Sequence, residues 1–194
     1  MLTPGFADLP LQAQSVFRLV LDAMACPGRI KTLGDDAPTA PAPLADATFA
    51  VALTLLDFET PIWLDQRLST PGVLAGLRFH CGCPIVYQPE EAAFALIGDA
   101  AHMPPLAAFN RGTPDYPDRA ATLLIQTEGL VQGEGWTLSG PGVRNRARLR
   151  VLGLSRDMLG QLLENRARFP NGVDLIFAHG RQLACLPRTT ELEG

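Results

Sequence analysis

The chain has 194 residues, 47% hydrophobic and 19% charged, with a formal net charge of −4. That length supports a core with no metal or disulfide staple, and 17 prolines with 18 glycines fall short of the roughly 25–30% that marks disorder. The acidic balance argues against a nucleic-acid binder, whose affinity comes largely from neutralising phosphates.

The charged fraction lies below the roughly 25% of an ordinary soluble domain, as expected of a surface partly covered by a partner. Among the basic residues only Lys31 is lysine; the other fifteen are arginine. Arginine's planar fork suits paired contacts to carboxylate or phosphate, whereas Schiff-base chemistry needs lysine. Any mechanism requiring a lysine must therefore use Lys31.

The first five residues show no basic region and apolar run of a secretory leader. The best apolar stretch, residues 49–56, is too short to span a bilayer. A cytoplasmic protein with no membrane contact is expected, and Cys26, Cys81, Cys83 and Cys185 are expected to be free thiols.

Along the chain, Val16, Val20 and Met24 recur at spacing four with Phe17 and Leu21 beside them, which predicts a helix over residues 11–24. Asp8 precedes it and Pro27-Gly28 stops it. Residues 34–43 are polar and proline-rich, and read as a loop. Residues 45–56 are apolar on most faces, as a buried helix is. Residues 62–64 read as a short strand. Thr70-Pro71 gives an N-cap with proline at the first helical position, opening a helix to about residue 79.

Residues 94–97, 122–126, 136–138, 173–178 and 183–186 are short apolar runs between turn residues, and read as strands. Residues 98–119, rich in proline and glycine, form a long irregular excursion of the kind that is functional or partner-bound. Residues 155–169 predict a helix, with Leu159, Leu162 and Leu163 on its apolar stripe and Pro170-Asn171-Gly172 ending it. There is no internal repeat. Interleaved helices and strands predict one α/β domain over residues 1–194, with a mixed sheet covered on both faces.

Four patterns could carry chemistry. His80-Cys81-Gly82-Cys83 supplies metal-ligating types, with His102, His179 and Cys185 elsewhere, but a zinc site needs a second matched pair; buried thiols beside a helix end are preferred, and no metal is expected. Neither a nucleophile elbow nor a P-loop is present: Leu138-Ser139-Gly140-Pro141-Gly142 reads as a turn. Arg144, Arg146, Arg148 and Arg150, if extended, project from one face. They would clamp a phosphonate or polyphosphate, or form a solvated strand face or meet acidic groups of a protein partner. Asp57, Glu59 and Asp174 are carboxylates near predicted element ends, where a cap or ion pair is the expected role.

Several segments together resemble the PhnH family, the H subunit of the carbon–phosphorus lyase core complex of bacterial phosphonate breakdown. They are Phe17-Arg18 with Ala23-Met24-Ala25-Cys26-Pro27-Gly28, Leu53-Thr54-Leu55-Leu56-Asp57 with Thr60-Pro61-Ile62-Trp63-Leu64, and Leu77-Arg78-Phe79-His80. Ala121-Thr122-Leu123, Leu138 to Val143, Phe169 to Ile176 and Leu186-Pro187-Arg188-Thr189-Thr190 continue the likeness over nearly the whole chain.

The resemblance implies a three-layer α/β/α fold similar to pyridoxal-phosphate-dependent transferases, without the cofactor and assembled as a homodimer. It also implies partnership with the G, I and J subunits of the lyase complex. The role it implies is accessory: supporting the conversion of ATP and an alkylphosphonate to a ribose 1-phosphonate 5-triphosphate, without catalysis by the isolated chain. The rival reading is a phosphonate- or nucleotide-binding enzyme using an arginine-lined anion site. Its candidate residues are Arg144, Arg146, Arg148, Arg150, Arg188, Thr189, Thr190 and His80.

Overall fold

Asp8 starts the first helix, α1 (Leu9–Ala25), by accepting the Leu11 N–H at 3.2 Å, and Pro10 sits in the first turn, where its missing N–H has no helical partner to lose. The structure is a computed structural model and describes residues 2–193. Val16, Val20 and Ala23 bury one face of α1, and the chain then turns through Gly28 at a φ of 86°.

A two-residue strand, β1 (Lys31–Thr32), precedes the 34–43 loop. Helix α2 (Asp46–Leu55) follows, and every residue from Ala47 to Ala52 is buried. Next come β2 (Ile62–Leu64), α3 (Pro71–His80), β3 (Phe94–Ile97) and β4 (Thr122–Gln126). Thr70 caps α3 by accepting the Val73 N–H at 3.3 Å. The chain continues through β5 (Gly129–Ser139), β6 (Ala147–Leu152), α4 (Met158–Ala167), β7 (Asp174–His179), β8 (Gln182–Leu186) and β9 (Glu191–Glu193).

Six strands form the central sheet in the order β1-β8-β7-β4-β3-β2. Strands β2, β3, β4 and β7 are parallel, while β8 runs antiparallel to β7 and to β1. Parallel strands need both faces covered, and the alternation supplies two apolar faces. Leu96, Leu124 and Ile176 point into a core shared with α1, α2 and α3. Ala95, Ile97, Leu123, Ile125, Leu175 and Phe177 point into the opposite core.

That second core is closed by α4, by the 98–119 excursion and by a small antiparallel sheet in the order β6-β5-β9. The mixed-sheet α/β arrangement is therefore present in three layers, one outer layer helical and the other shared between a helix and three strands. The excursion holds two short 3₁₀ turns, Leu106–Ala108 and Pro117–Arg119, and plants Leu106 and Phe109 on the sheet. Helix α4 begins three residues later than the sequence predicts, because Ser155 to Met158 close a turn first (Met158 N–H to Ser155 carbonyl, 3.3 Å).

Candidate functional site

The four parallel strands end at one edge of the sheet. The crevice outside such carboxyl ends is where open α/β sheets bind ligands. Here the segments after β2 and β3 enclose a cleft of about 390 Å³. Asp65, one residue beyond β2, is buried and tightly held. Its Oδ1 accepts the Leu68 N–H at 2.9 Å; its Oδ2 accepts those of Gly98 at 2.7 Å and Asp99 at 2.9 Å. Three backbone donors meet the charge that burial would otherwise penalise. They also fasten the end of β3 to the end of β2. Gly98 is required for that approach, since a Cβ there would lie 2.8 Å from the Leu68 side chain.

Pinned in this way, Asp99 faces His102. The imidazole Nδ1 lies 3.1 and 3.0 Å from the two carboxylate oxygens. That hydrogen bond, more than any other influence, holds the Asp99 carboxyl below its usual range. Trp63 lines the same cleft, its ring set edge-on to Phe109 with centroids 5.7 Å apart. Arg67 reaches the cleft from the β2 side, exposed and, among the described residues, without an ion pair.

The candidate residues named from the sequence are not gathered in one place. Only Arg148 and Arg150 lie on β6, where buried Leu149 between them sets both side chains outward. Arg144 stands in the preceding turn and Arg146 just before the strand, separated by Asn145 at a φ of 67°. A left-handed residue breaks the alternation, so the expected single row of four is corrected to a pair on the strand and two residues in the approach to it. Neighbouring groups meet three of these charges: Glu193 at 3.6 Å from Arg146, Glu134 at 3.5 Å from Arg150, and the Gly135 carbonyl at 3.4 Å from Arg148.

Arg188 clamps Asp174 at the amino end of β7. Its Nη2 donates to Oδ2 at 2.6 Å, its Nε to both oxygens at 3.2 Å, and its Nη1 to the Pro117 carbonyl at 2.7 Å. The Arg188 N–H adds a bond to Asp174 Oδ1 at 2.8 Å. Thr189 and Thr190 complete the turn, in which the Thr190 N–H donates to the Pro187 carbonyl at 2.9 Å and Thr190 is buried.

His80 is on the other side of the sheet, at the end of α3. Its Nε2 donates to the Thr3 carbonyl at 2.9 Å, and its ring is edge-on to Phe49 and Phe79. It ties the amino-terminal segment to the helical layer.

Asp57 accepts from Thr60 Oγ1 at 2.7 Å and from the Glu59 N–H at 3.0 Å. Lys31 pairs with Asp22 on the sheet edge opposite β2, so the single lysine is remote from the cleft. All four cysteines are unpaired. Burial pushes the Cys185 thiol up, and the hydrogen bond it shares with Cys83, followed by burial, pushes the Cys81 thiol up. Among the described residues no three His, Cys, Asp or Glu side chains converge as a metal site does.

Asp65, Arg67 and Asp99 were not singled out from the sequence. A signal was available: two consecutive predicted strands, 62–64 and 94–97, each end directly before a short polar segment containing aspartate.

Comparison with known proteins places this architecture. The model of the PhnH family, described as the bacterial phosphonate metabolism protein, matches residues 4–193. The chain is 41% identical over 189 residues to the alpha-D-ribose 1-methylphosphonate 5-triphosphate synthase subunit PhnH of Rhizobium meliloti (strain 1021), covering 97% of this chain and 94% of that protein. It is 30% identical over 180 residues to the putative C-P lyase subunit protein HtxG of Stutzerimonas stutzeri, covering 92% and 85% respectively. With a match that runs nearly from end to end, the chain belongs to the PhnH family of bacterial phosphonate metabolism proteins.

Proposed function

We propose that this chain is an accessory subunit of a carbon–phosphorus lyase assembly in phosphonate catabolism. In that role it supports the conversion of ATP and an alkylphosphonate to a ribose 1-phosphonate 5-triphosphate. The observation that carries the reading is the near end-to-end match to a relative named as a subunit of the ribose 1-methylphosphonate 5-triphosphate synthase. Its partners are the G, I and J subunits; alone, it is a homodimer acting as one domain in the cytoplasm.

The surface supports a protein made for partners. Phe17 and Leu21, one turn apart on α1, are both about half exposed, and Phe58, Phe79 and Tyr87 are more than two-thirds exposed. Exposed aromatic side chains of this kind are enriched where proteins meet. The experiment is co-expression with the G, I and J subunits and purification through a tag on one of them. Recovery of this chain in stoichiometric amount supports the reading; its absence from the purified assembly contradicts it.

A further inference from the structure

The small sheet β6-β5-β9 carries opposite charges on its two edges. On β9, Glu191 and Glu193 flank buried Leu192; on β6, Arg148 and Arg150 flank buried Leu149. Alternation puts both charged pairs on the solvent face. The acidic edge lies beside α4, where Arg166 meets Glu191 at 3.3 Å.

The basic edge is open. Strand β6 pairs with β5 alone, and among the described residues no backbone hydrogen bond is made along its other side. Every second residue of such an edge turns its N–H and C=O outward, and a row of these groups is a template for a further strand. Two glutamates meet the arginines here, Glu193 at 3.6 Å from Arg146 and Glu134 at 3.5 Å from Arg150, and both contacts are exposed. Exposed pairs at that distance are weak. Arg144 and Arg148 have no ion pair among the described residues. The inner side of the same edge is apolar, with Ala147 and Val151 half-buried against the core beside Leu149.

We propose that β6 docks an extended acidic segment of a partner protein as an added strand. Acidic side chains at alternate positions meet Arg148 and Arg150, and apolar side chains between them cover Ala147 and Val151. The chain carries the same pattern itself, since Glu191-Leu192-Glu193 pairs along the other side of β5. A second copy of β6 would set arginine beside arginine, which is unfavourable. A nucleic acid would use the guanidinium groups and leave the backbone donors and the apolar side unmet. The inference rests on this chain's own geometry, so it holds or fails separately from the identity of the assembly.

The test is an amide NMR titration of the purified chain with the end-blocked peptide Thr-Glu-Val-Glu-Val-Glu-Thr. Saturable shifts centre on residues 147–152, and the outward β6 amides exchange more slowly with solvent deuterium. The counterpart Thr-Lys-Val-Lys-Val-Lys-Thr, and the acidic peptide N-methylated at its glutamates and valines, bind about tenfold or more weakly, one lacking the charges and the other the backbone donors. Arg148→Glu/Arg150→Glu weakens the acidic peptide about tenfold or more and leaves the oligomeric mass of the chain unchanged. Four outcomes would overturn the proposal: no saturable shift at millimolar peptide, the lysine or N-methylated peptide binding as well as the acidic one, oligothymidylate binding as tightly as the peptide, or a changed oligomeric mass in the double variant, which would give the edge to a second copy.

Discussion

Replacing Arg188 by alanine separates a structural clamp from an anion site. The side chain makes its bonds to the Asp174 carboxylate and the Pro117 carbonyl at 15% exposure, with Asp174 at 21%. Arg188→Ala leaves that carboxylate mostly buried with one backbone N–H from residue 188. Breaking one side of a buried pair costs about 3–5 kcal/mol. The remaining solvent contact places this pair at the lower end, about 3 kcal/mol.

For a chain of this length that loss lowers the melting temperature by about 6–12 °C. Calorimetry on the native chain and on Arg188→Ala reads it directly. The double variant Asp174→Leu/Arg188→Met removes both charges and regains most of the loss, giving a large coupling term in the double-mutant cycle. An Arg188→Ala protein melting within about 2 °C of native would refute the reasoning and return Arg188 to the surface as a residue free to bind an anion.

Three further expectations follow from individual residues. At Gly142, with a φ of 79°, a Cβ would fall 2.0 Å from the Ala25 carbonyl oxygen, whereas Gly133, with a φ of 87°, has open space around it. Gly142→Ala should therefore destabilise by well over the roughly 1–2 kcal/mol of a left-handed alanine, and Gly133→Ala by about that amount; equal urea midpoints would contradict this. Thr60 is the main group holding the Asp57 carboxyl below 3.8, so the Asp57 contribution to stability is present above the ordinary carboxylate range and is lost as pH falls through the lowered value. Thr60→Val should move the Asp57 midpoint upward in a carboxyl NMR titration, and an unchanged midpoint would show that Thr60 is not the cause. Cys26 is partly exposed while the other three thiols are buried, so one thiol should react rapidly with an aromatic disulfide reagent in the native chain. Cys26→Ser should abolish that phase; a surviving fast phase would place reactivity in the Cys81-Gly82-Cys83 segment.

Much of the fold was legible because its signals are local. Asp8, Thr70 and the 62–64 strand stand where cap chemistry and apolar runs put them, and the 98–119 excursion follows from its prolines and glycines. Strand β5 was seen only at residues 136–138, because Gln132-Gly133-Glu134-Gly135 has neither apolar alternation nor β propensity. The strand passes through that segment on a bulge between Gln132 and Trp136, with Gly133 and Gly135 at positive φ. Strands β1 (Lys-Thr) and β9 (Glu-Leu-Glu) lack the apolar run that marks the equally short 62–64 strand, and pair along the edges that β8 and β5 offer.

The candidate site was less legible than the fold. Asp65 and Asp99 lie 34 residues apart, and only parallel pairing of β2 with β3 brings them together. The arginines from 144 to 150 looked like one row because alternation was assumed through Asn145, whose left-handed backbone ends it. Arg188, Thr189 and Thr190 were named as anion-site candidates, but the Arg188 guanidinium is spent on Asp174 and the Pro117 carbonyl, partners that no local pattern names.

Membership of a phosphonate-degrading assembly is read out by one affinity purification. The chain is co-expressed with the G, I and J subunits, and the purified complex is weighed intact by native mass spectrometry. The expected mass includes this chain in fixed stoichiometry. A stable complex of the other three subunits, with this chain left in the unbound fraction at micromolar concentration, would contradict it.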